Sequence, residues 1–381
     1  MTNAMKERYL GPFIKADLGK KMVFLSGPRQ VGKTTLALRL LGGDETHPAY
    51  LNWDDLEDQQ KVLHNELPPN QKLIVFDELH KYKRWRNYLK GLYDKTKSSR
   101  QYLVTGSARL DLYRRGGDAL TGRYHFYQLH PLSLREVDKD AKRSTVEALL
   151  KFGGFPEPFF ARSEKELRRW QMERKQQVLR DDLRDLERVD EVALISRMVD
   201  HLPNLVGSPL SINSIREDLQ VAHSTVANWL NILERLFVIF RVPPFGSPKI
   251  RAVKKEMKCY LWDWSLISDE GARFENFVAS QLLKYCHFIE NTEGYPMELR
   301  YIRDTDKREV DFVVLKDSRP LFAAECKLND REIPASVPYF AERLKIPRFY
   351  MVHSGEKDYQ HATLPVRVVP FNRFAEELQL P

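Results

Sequence analysis

The sequence predicts an α/β fold at the N-terminus, a winged-helix-like module in the middle and a second α/β domain at the C-terminus. The first prediction rests on an apolar strand at residues 22–26 that leads into a glycine-rich loop and a helix-like run. The second rests on a helix, turn, helix and strand pattern within residues 211–242, and the third on strand-like runs at 309–315 and 321–327. The expected domains are residues 1–200, 201–250 and 251–381.

The glycine-rich loop reads GPRQVGKTT and fits the phosphate-loop pattern G-x-x-x-x-G-K-[ST] at every fixed position. Glycines let backbone N–H groups close around phosphates, and the N-terminus of the following helix favours negative charge. Lys33 is expected to reach the β- and γ-phosphates, and the Thr34 hydroxyl to bind Mg²⁺. The residues expected to contact the nucleotide are Gly27, Pro28, Arg29, Gln30, Val31, Gly32, Lys33, Thr34 and Thr35.

Two carboxylates follow the apolar run at residues 72–76, at the strand end where parallel sheets place their ligands. We expect Asp77 to hold Mg²⁺ through water, next to Thr34. Glu78 is expected to be the catalytic residue that polarises the attacking water. The next strand ends near Ser107, which either senses the γ-phosphate or caps the following helix.

An arginine that stabilises charge on the transferred phosphoryl group is a further expected part of such a site. Arg123, in the run LTGR, is the first catalytic candidate, and Arg180 and Arg184 are weaker ones. The alternative for each is a surface residue, which is the usual place of an arginine. The sequence has no N-K-x-D or T-K-x-D element that would read guanine, so we expect ATP in preference to GTP.

These motifs, in their order along nearly the whole chain, resemble prokaryotic AAA-type ATPases that carry an uncharacterised, restriction-endonuclease-like C-terminal domain. The matching segments are GPRQVGKTT at 27–35, DELHK at 77–81, GSAR at 106–109, LTGR at 120–123, PLSLRE at 131–136 and GGFPE at 153–157. The resemblance implies a RecA-like P-loop AAA ATPase core, ATP hydrolysis with Mg²⁺ and a possible homo-oligomer in which a neighbour supplies an arginine. One departure is His80, where the resemblance leads us to expect glutamine.

Residues 212–219 indicate a short helix, and a second helix begins near Ser224 after a tight turn. With the strand that follows at 237–242, this order is typical of a winged helix-turn-helix. AAA-type ATPases use such modules to contact DNA, as structural lids or for protein contacts, and the sequence leaves these alternatives open. The residues that would face a DNA major groove are His223, Ser224, Thr225 and Asn228. A basic cluster, either a DNA contact or a solvated linker, comprises Lys249, Arg251, Lys254, Lys255 and Lys258.

The C-terminal strands bring two carboxylates into one register. If Leu315 pairs with Leu321 across the connecting loop, Asp311 lies opposite Glu325. Lys327 is two residues beyond Glu325 and therefore shares its face of the strand. Like charges placed across a strand pair repel each other, so this register is unfavourable unless a cation lies between them.

A divalent ion would supply that cation. Asp311 and Glu325 are expected to hold a second Mg²⁺ or Mn²⁺, with Glu275 as a further acid from the preceding helix. Lys327 would position or activate water for phosphodiester attack, as a catalytic residue. This is the D…E-x-K set of restriction-endonuclease-like (PD-(D/E)xK-type) folds. The alternatives are a half-buried hairpin whose charges pair with each other, and a metal site that binds DNA without cutting it.

The composition, with 42% hydrophobic and 30% charged residues, is typical of a soluble globular protein. No apolar run approaches the ~20 residues of a membrane helix, so we expect a cytoplasmic protein without a membrane partner. Cys259, Cys286 and Cys326 are expected to be reduced thiols, since none forms a C-x-x-C pair. The net charge of +8 favours an anionic partner, and both ATP and nucleic acid meet this condition.

Residues 81–100 hold eight Lys or Arg against one acidic residue, with aromatic residues between them. Such a stretch can bind a nucleic-acid backbone and stack on bases. We favour the alternative, an amphipathic helix with a solvated basic face. Its expected core residues are Trp85, Tyr88, Leu89 and Leu92.

The leading functional prediction is an ATP-driven switch or motor that acts on DNA, with a C-terminal domain that cuts or binds DNA. The alternative is a regulatory ATPase whose partner is a protein and whose C-terminal domain is a catalytically silent interaction module. A small-molecule kinase is less favoured, because the sequence shows no separate acceptor site.

Overall fold

The structure, a computed structural model, describes residues 7–106, 120–179, 191–246, 256–329 and 333–381. The chain divides into two units, Met1–Pro131 and Leu132–Pro381. Within the described ranges, no helix is long and apolar enough to cross a lipid bilayer. The three cysteines are buried and free of disulfide bonds, in line with the expected reduced thiols.

A five-stranded parallel sheet forms the centre of the first unit, in the strand order β2-β3-β4-β1-β5. The strands are β1 (Met22–Ser26), β2 (Tyr50–Asn52), β3 (Leu73–Asp77), β4 (Gln101–Thr105) and β5 (Tyr124–Gln128). The helices are α1 (Gly11–Asp17), α2 (Lys33–Leu41), α3 (Leu56–Leu63) and α4 (Trp85–Thr96), with a 3-10 turn at Leu79–Lys81. The α/β prediction for the N-terminal part is therefore confirmed, and the near-continuous apolar strands are those of a parallel sheet.

Helix α4 carries the basic and aromatic stretch. Trp85, Leu89 and Leu92 are buried in the hydrophobic core of the sheet, with Tyr88 packed against them at the core edge. Trp85 packs against Phe24 of β1, with ring centroids 5.8 Å apart. The amphipathic-helix prediction is confirmed, since Trp85, Leu89 and Leu92 are in the core and the lysines of the helix face solvent.

The second unit begins with helices and ends with a mixed sheet. Its helices are α5 (Leu134–Val137), α6 (Arg143–Phe152), α7 (Pro156–Ala161), α8 (Glu164–Gln177), α9 (Val192–His201), α10 (Ile212–Leu219), α11 (His223–Arg235), α12 (Glu270–Glu293), α13 (Ser336–Arg343) and α14 (Phe371–Glu377). Its strands are β6 (Ile239–Val242), β7 (Lys258–Leu261), β8 (Met297–Arg303), β9 (Glu309–Lys316), β10 (Arg319–Lys327), β11 (Phe349–His353), β12 (Tyr359–Gln360) and β13 (Val366–Pro370). Short 3-10 turns lie at Leu202–Leu205 and Trp264–Leu266.

Helices α10 and α11 are joined by a three-residue turn that begins at Gln220, whose φ of 55° reverses the chain. Ser211 caps α10 by accepting a hydrogen bond from Ser214 N. Strands β6 and β7 then pair as an antiparallel ribbon, and Pro209 forms a bridge with Lys258 at its edge. Helix, turn, helix and strand thus follow in the predicted order, and β6 pairs with β7 at Lys258–Leu261.

A six-stranded sheet, in the order β12-β13-β11-β10-β9-β8, forms the C-terminal part. Strands β8, β9 and β10 are antiparallel neighbours, whereas β10, β11 and β13 run parallel. Leu315 pairs with Pro320, so the predicted Leu315–Leu321 pair was wrong by one residue. A bulge between Pro320 and Phe322 absorbs that residue and restores the predicted register farther along. The pairs beyond the bulge are Phe322 with Val314, Ala323 with Val313 and Ala324 with Phe312.

Candidate functional site

The loop after β1 needs its two glycines for geometric reasons. Gly27 has φ of 150°, and a Cβ at this position would lie 2.4 Å from the Leu129 carbonyl oxygen. Gly32 has φ of 98° and is the N-cap of α2. Both backbone conformations are costly for residues with a side chain. The loop therefore wraps closely at the N-terminus of α2, where backbone N–H groups can receive phosphate oxygens.

Lys33 lies over this loop with its side chain buried. Its Nζ donates hydrogen bonds to the Gly27 carbonyl oxygen at 2.9 Å and the Pro28 carbonyl oxygen at 2.8 Å. The ammonium is thus held by the loop that would surround the phosphates. This position fits the predicted contact with the β- and γ-phosphates.

Asp77, at the end of β3, accepts hydrogen bonds from three hydroxyl groups. Its Oδ2 accepts hydrogen bonds from Thr34 Oγ1 and from the Tyr50 hydroxyl, both at 2.8 Å. Its Oδ1 accepts one from Thr105 Oγ1. Burial raises the pKa of Tyr50, and the Asp77 carboxylate raises it further. The Tyr50 hydroxyl therefore stays a donor. Asp77 is consequently fixed with its carboxylate beside Thr34, the pair predicted to hold Mg²⁺.

Glu78 follows Asp77 with a left-handed φ of 54°, which turns the chain at the strand end. Its backbone N–H donates to the Thr105 carbonyl oxygen at 3.0 Å. Its Oε2 lies 3.5 Å from Nε2 of the buried His80. Burial, and to a smaller degree the Asp77 carboxylate, raise the pKa of Glu78 to about 7, although Lys33 acts in the opposite direction. A carboxylate in this state is suited to accept a proton near neutral pH.

These residues fit a nucleoside triphosphate with Mg²⁺, because donors, a cation and an anchored carboxylate converge on one strand edge. Lys33 and the loop N–H groups would hold the phosphates, and Thr34 and Asp77 would hold the metal ion. The metal ion would supply charge neutralisation on the phosphate oxygens. The Glu78 carboxylate would take the proton of the attacking water.

Two residues of this site were missed at the sequence level. Arg8 is buried and donates to the carbonyl oxygens of Val31 and His130, which ties the loop to the segment after β5. Tyr50 holds Asp77 from the neighbouring strand β2. An isolated arginine before α1 and a tyrosine in a short strand belong to no motif, so no local pattern could have indicated them.

Arg123 was expected as a finger for the phosphates, and its position is unsuited to its own site. It precedes β5, whereas the loop and Asp77 lie at the opposite, carboxyl ends of the strands, roughly 13 Å farther along. Its guanidinium pairs with Asp94, with Nε 2.9 Å from Oδ1. An action of Arg123 on a neighbouring subunit stays a prediction. Ser107, Arg180 and Arg184 lie outside the described residues.

The C-terminal carboxylates also come together, in what we call the acid cluster: Glu275, Glu309, Asp311 and Glu325. The register beyond the bulge, extended by one pair, sets Asp311 opposite Glu325, and Asp311 N donates to Glu325 Oε2 at 3.3 Å. Lys327 Nζ lies 2.8 Å from Glu325 Oε1, so the two share a face as predicted. Burial and the Asp311 carboxylate raise the pKa of both Glu275 and Glu325.

Lys258 lies at the centre of the acid cluster. Its Nζ is 2.6 Å from Glu309 Oε1, 3.1 Å from Glu275 Oε1 and 3.2 Å from Asp311 Oδ1. This lysine was expected in an exposed basic cluster, and the structure corrects that expectation because its side chain is fully buried. The other members of that cluster, Lys249, Arg251, Lys254 and Lys255, lie outside the described residues. In the part of the chain that the structure describes, no three acidic, histidine or cysteine residues are arranged to hold a metal ion.

Comparison with known families finds three matches along the chain. Residues 19–138 match an AAA domain, residues 143–270 match a domain of unknown function (DUF8612) and residues 270–374 match a second domain of unknown function (DUF4143). The first match, together with the parallel sheet and its phosphate loop, supports a P-loop AAA-type ATPase. Neither of the other two matches bears on a winged helix or on a restriction-endonuclease-like fold, which stay predictions.

Similar proteins span most of the chain. Uncharacterized proteins of Mycobacterium tuberculosis and Mycobacterium bovis are each 26% identical over 352 residues, which cover 88% of this chain and 77% of theirs. An uncharacterized protein of Methanocaldococcus jannaschii is 23% identical over 363 residues, covering 78% of this chain and 73% of its own. These relatives add no activity to the assignment.

Proposed function

We propose that the chain binds ATP with Mg²⁺ and hydrolyses it, as an AAA-type switch that acts on nucleic acid. The observation that supports hydrolysis is the 2.8 Å hydrogen bond between Thr34 Oγ1 and Asp77 Oδ2, with Glu78 as the next residue. It joins the phosphate loop to the strand that supplies the general base. Lys33 would bind the phosphates, and Glu78 would accept the proton of water.

The helix-turn-helix segment, residues 212–235, supports nucleic acid as the partner. At the start of α11, His223 and Ser224 are exposed, as is Asn228 one turn later. The apolar face of the same helix is buried through Val226 and Leu230. A buried stripe with a polar, exposed N-terminal turn is the arrangement by which a recognition helix contacts base edges. We propose that this segment contacts DNA and that the β6–β7 hairpin serves as its wing.

Metal-dependent cleavage by the C-terminal domain is a second candidate, supported by the Asp311–Glu325 register and by Lys327. The Lys258 ammonium inside the acid cluster favours instead the alternative in which this domain binds a partner without cutting. That partner is DNA or a protein. Assembly of several chains, with an arginine supplied by a neighbour, belongs to the same proposal for the N-terminal unit.

The experiment is steady-state ATP hydrolysis by the purified chain, with and without single-stranded, duplex and branched DNA. Stimulation by one DNA structure, absent in Glu78→Gln, is expected. Hydrolysis that is indifferent to every DNA would refute nucleic acid as the partner and favour the protein-partner switch. Absence of hydrolysis under all conditions would refute the proposed activity itself.

A further inference from the structure

The distances between the donor atoms of the acid cluster show whether it fits a divalent ion. An ammonium group has three N–H donors. The three oxygen atoms nearest Lys258 Nζ belong to Glu275, Glu309 and Asp311, at 2.6–3.2 Å. A divalent ion held by the same carboxylates would need oxygen ligands at about 2.0–2.6 Å, in the space that the ammonium fills. The residues as arranged therefore do not fit a metal ion.

Lys258 is enclosed on every side that the structure describes. Its side chain has 0% exposure. The Tyr301 ring lies beside it, with its centroid 5.6 Å from Nζ. Gly207 closes the cluster next to Glu275, since a Cβ there would lie 2.8 Å from Glu275 Oε2. Moving the ammonium out of the cluster would require separation of packed backbone segments.

The backbone also fixes the lysine. Lys258 is the first residue of β7, where it pairs with Val242 of β6 and bridges to Pro209. The carboxylates come from other elements, Glu275 from α12 and Asp311 from β9. The ion pairs consequently join the hairpin that follows the helix-turn-helix segment to the C-terminal sheet.

The remaining charges of the cluster are also satisfied. Arg303 Nη1 lies 2.6 Å from Glu309 Oε2, and Lys327 Nζ lies 2.8 Å from Glu325 Oε1. Donors from neutral groups complete the set: the Tyr260 hydroxyl to Glu275 Oε1 at 2.7 Å and Cys326 N to Asp311 Oδ2 at 2.9 Å. Buried carboxylates are stable only with such partners, and here protein groups provide them.

We propose that the Lys258 ammonium is the resident cation of the acid cluster, in place of a divalent metal ion. The C-terminal domain is then a metal-independent module that Lys258 locks to the β6–β7 hairpin, and it does not cleave phosphodiester bonds with a metal cofactor. This inference is independent of ATP hydrolysis in the N-terminal unit.

The first test is a calorimetric titration of the full-length chain with Mn²⁺, without added nucleotide. An Asp77→Asn background removes the carboxylate of the nucleotide site. We expect no saturable binding. A saturable Mn²⁺ site that disappears on a further Asp311→Asn substitution would overturn the proposal, because it would show that a metal ion displaces Lys258.

The second test replaces the cation itself. Lys258→Met in the same background keeps an unbranched side chain of similar size and leaves the carboxylates without their ammonium. We expect it to lower the unfolding temperature and to create a saturable Mn²⁺ site that the parent chain lacks. Lys345→Met, which removes an exposed lysine of the same unit, is the matched control and should change neither property.

A Lys258→Met chain that does not fold is still informative through the double variant Lys258→Met/Asp311→Asn, which removes one carboxylate with the ammonium. Under the proposal the double variant is more stable than the single one, because less negative charge is left uncompensated. Equal or lower stability of the double variant would contradict a charge lock. A folded Lys258→Met chain with no gain in Mn²⁺ affinity would also contradict it.

Discussion

Thr34 Oγ1 donates a hydrogen bond to Asp77 Oδ2 at 2.8 Å, across 43 residues of sequence. This contact joins the helix that follows the phosphate loop to the end of β3. Since Tyr50 and Thr105 also donate to Asp77, the carboxylate is oriented by hydroxyls from three different segments. The candidate metal-binding pair is therefore oriented by hydrogen bonds within the fold itself.

Glu78→Gln should abolish hydrolysis and leave ATP binding in place. The amide keeps the shape of the side chain but cannot accept a proton, and loss of a general base lowers a rate by about 10²–10⁴-fold. Steady-state phosphate release and equilibrium binding of a fluorescent ATP analogue measure the two properties. Turnover equal to that of the unchanged chain would end the assignment of Glu78.

Lys33→Ala should differ from Glu78→Gln by losing nucleotide affinity as well as turnover. The buried ammonium is held by two carbonyl oxygens of the loop that would surround the phosphates. Removing it takes away an attraction that operates in the ground state and becomes stronger in the transition state, so both KM and kcat are affected. Lys20→Ala, an exposed lysine paired with Asp17, is the control and should retain both parameters.

Tyr50→Phe should raise the Mg²⁺ concentration that is required for half-maximal hydrolysis. The Tyr50 hydroxyl orients Asp77, and loss of a group that orients a metal ligand typically costs about 10–100-fold in metal affinity. At saturating Mg²⁺ the maximal rate should largely return, which distinguishes orientation from catalysis. A Mg²⁺ dependence like that of Tyr93→Phe, a surface change in the same unit, would show that Tyr50 has no part in the site.

The nucleotide site could be predicted where its chemistry lies in short, contiguous motifs. Lys33, Asp77 and Glu78 were identified because a phosphate loop and two acids after an apolar strand have few other uses. Arg8 could not be identified, since its partner His130 is 122 residues away and the contact exists only after the strands assemble. Arg123 lies just before β5 and pairs with Asp94, and its assignment as an arginine finger stays a prediction.

In the C-terminal domain, too, the sequence predicted a local register but not a contact between distant elements. The strand register was predicted correctly beyond the bulge. In an antiparallel ladder the residue numbers of each pair have the same sum, so one correct pair fixes the others. Lys258 could not be predicted, since it stands among basic residues in sequence and only the β6–β7 pairing turns it inward. The sequence therefore showed three acids that need a cation, Glu275, Asp311 and Glu325, and did not reveal that a lysine from another element supplies it.

Lys284→Met should destabilise the second unit. Lys284 on α12 is buried, donates to Ser133 Oγ at 2.8 Å and forms an ion pair with buried Glu136. Removing one partner of a buried ion pair leaves a charge without compensation and typically costs about 3–5 kcal/mol. Urea unfolding followed by tryptophan fluorescence measures the loss. A further Glu136→Gln change should recover part of it, and no recovery would show that packing, rather than charge, is the cause.

Ser224→Glu should weaken DNA binding if α11 enters the major groove. Ser224 is exposed in the first turn of α11, where a negative charge is compatible with the helix dipole, so the helix should remain folded. The new carboxylate would face phosphates and lose the serine contact to a base edge, and the loss of such a contact costs about 1–3 kcal/mol of binding free energy. Fluorescence anisotropy with the DNA that best stimulates hydrolysis measures the affinity, and Thr363→Glu adds the same charge at an exposed position elsewhere in the unit. If both variants bind DNA as the parent chain does, α11 is not the DNA contact, and the protein-partner alternative gains support.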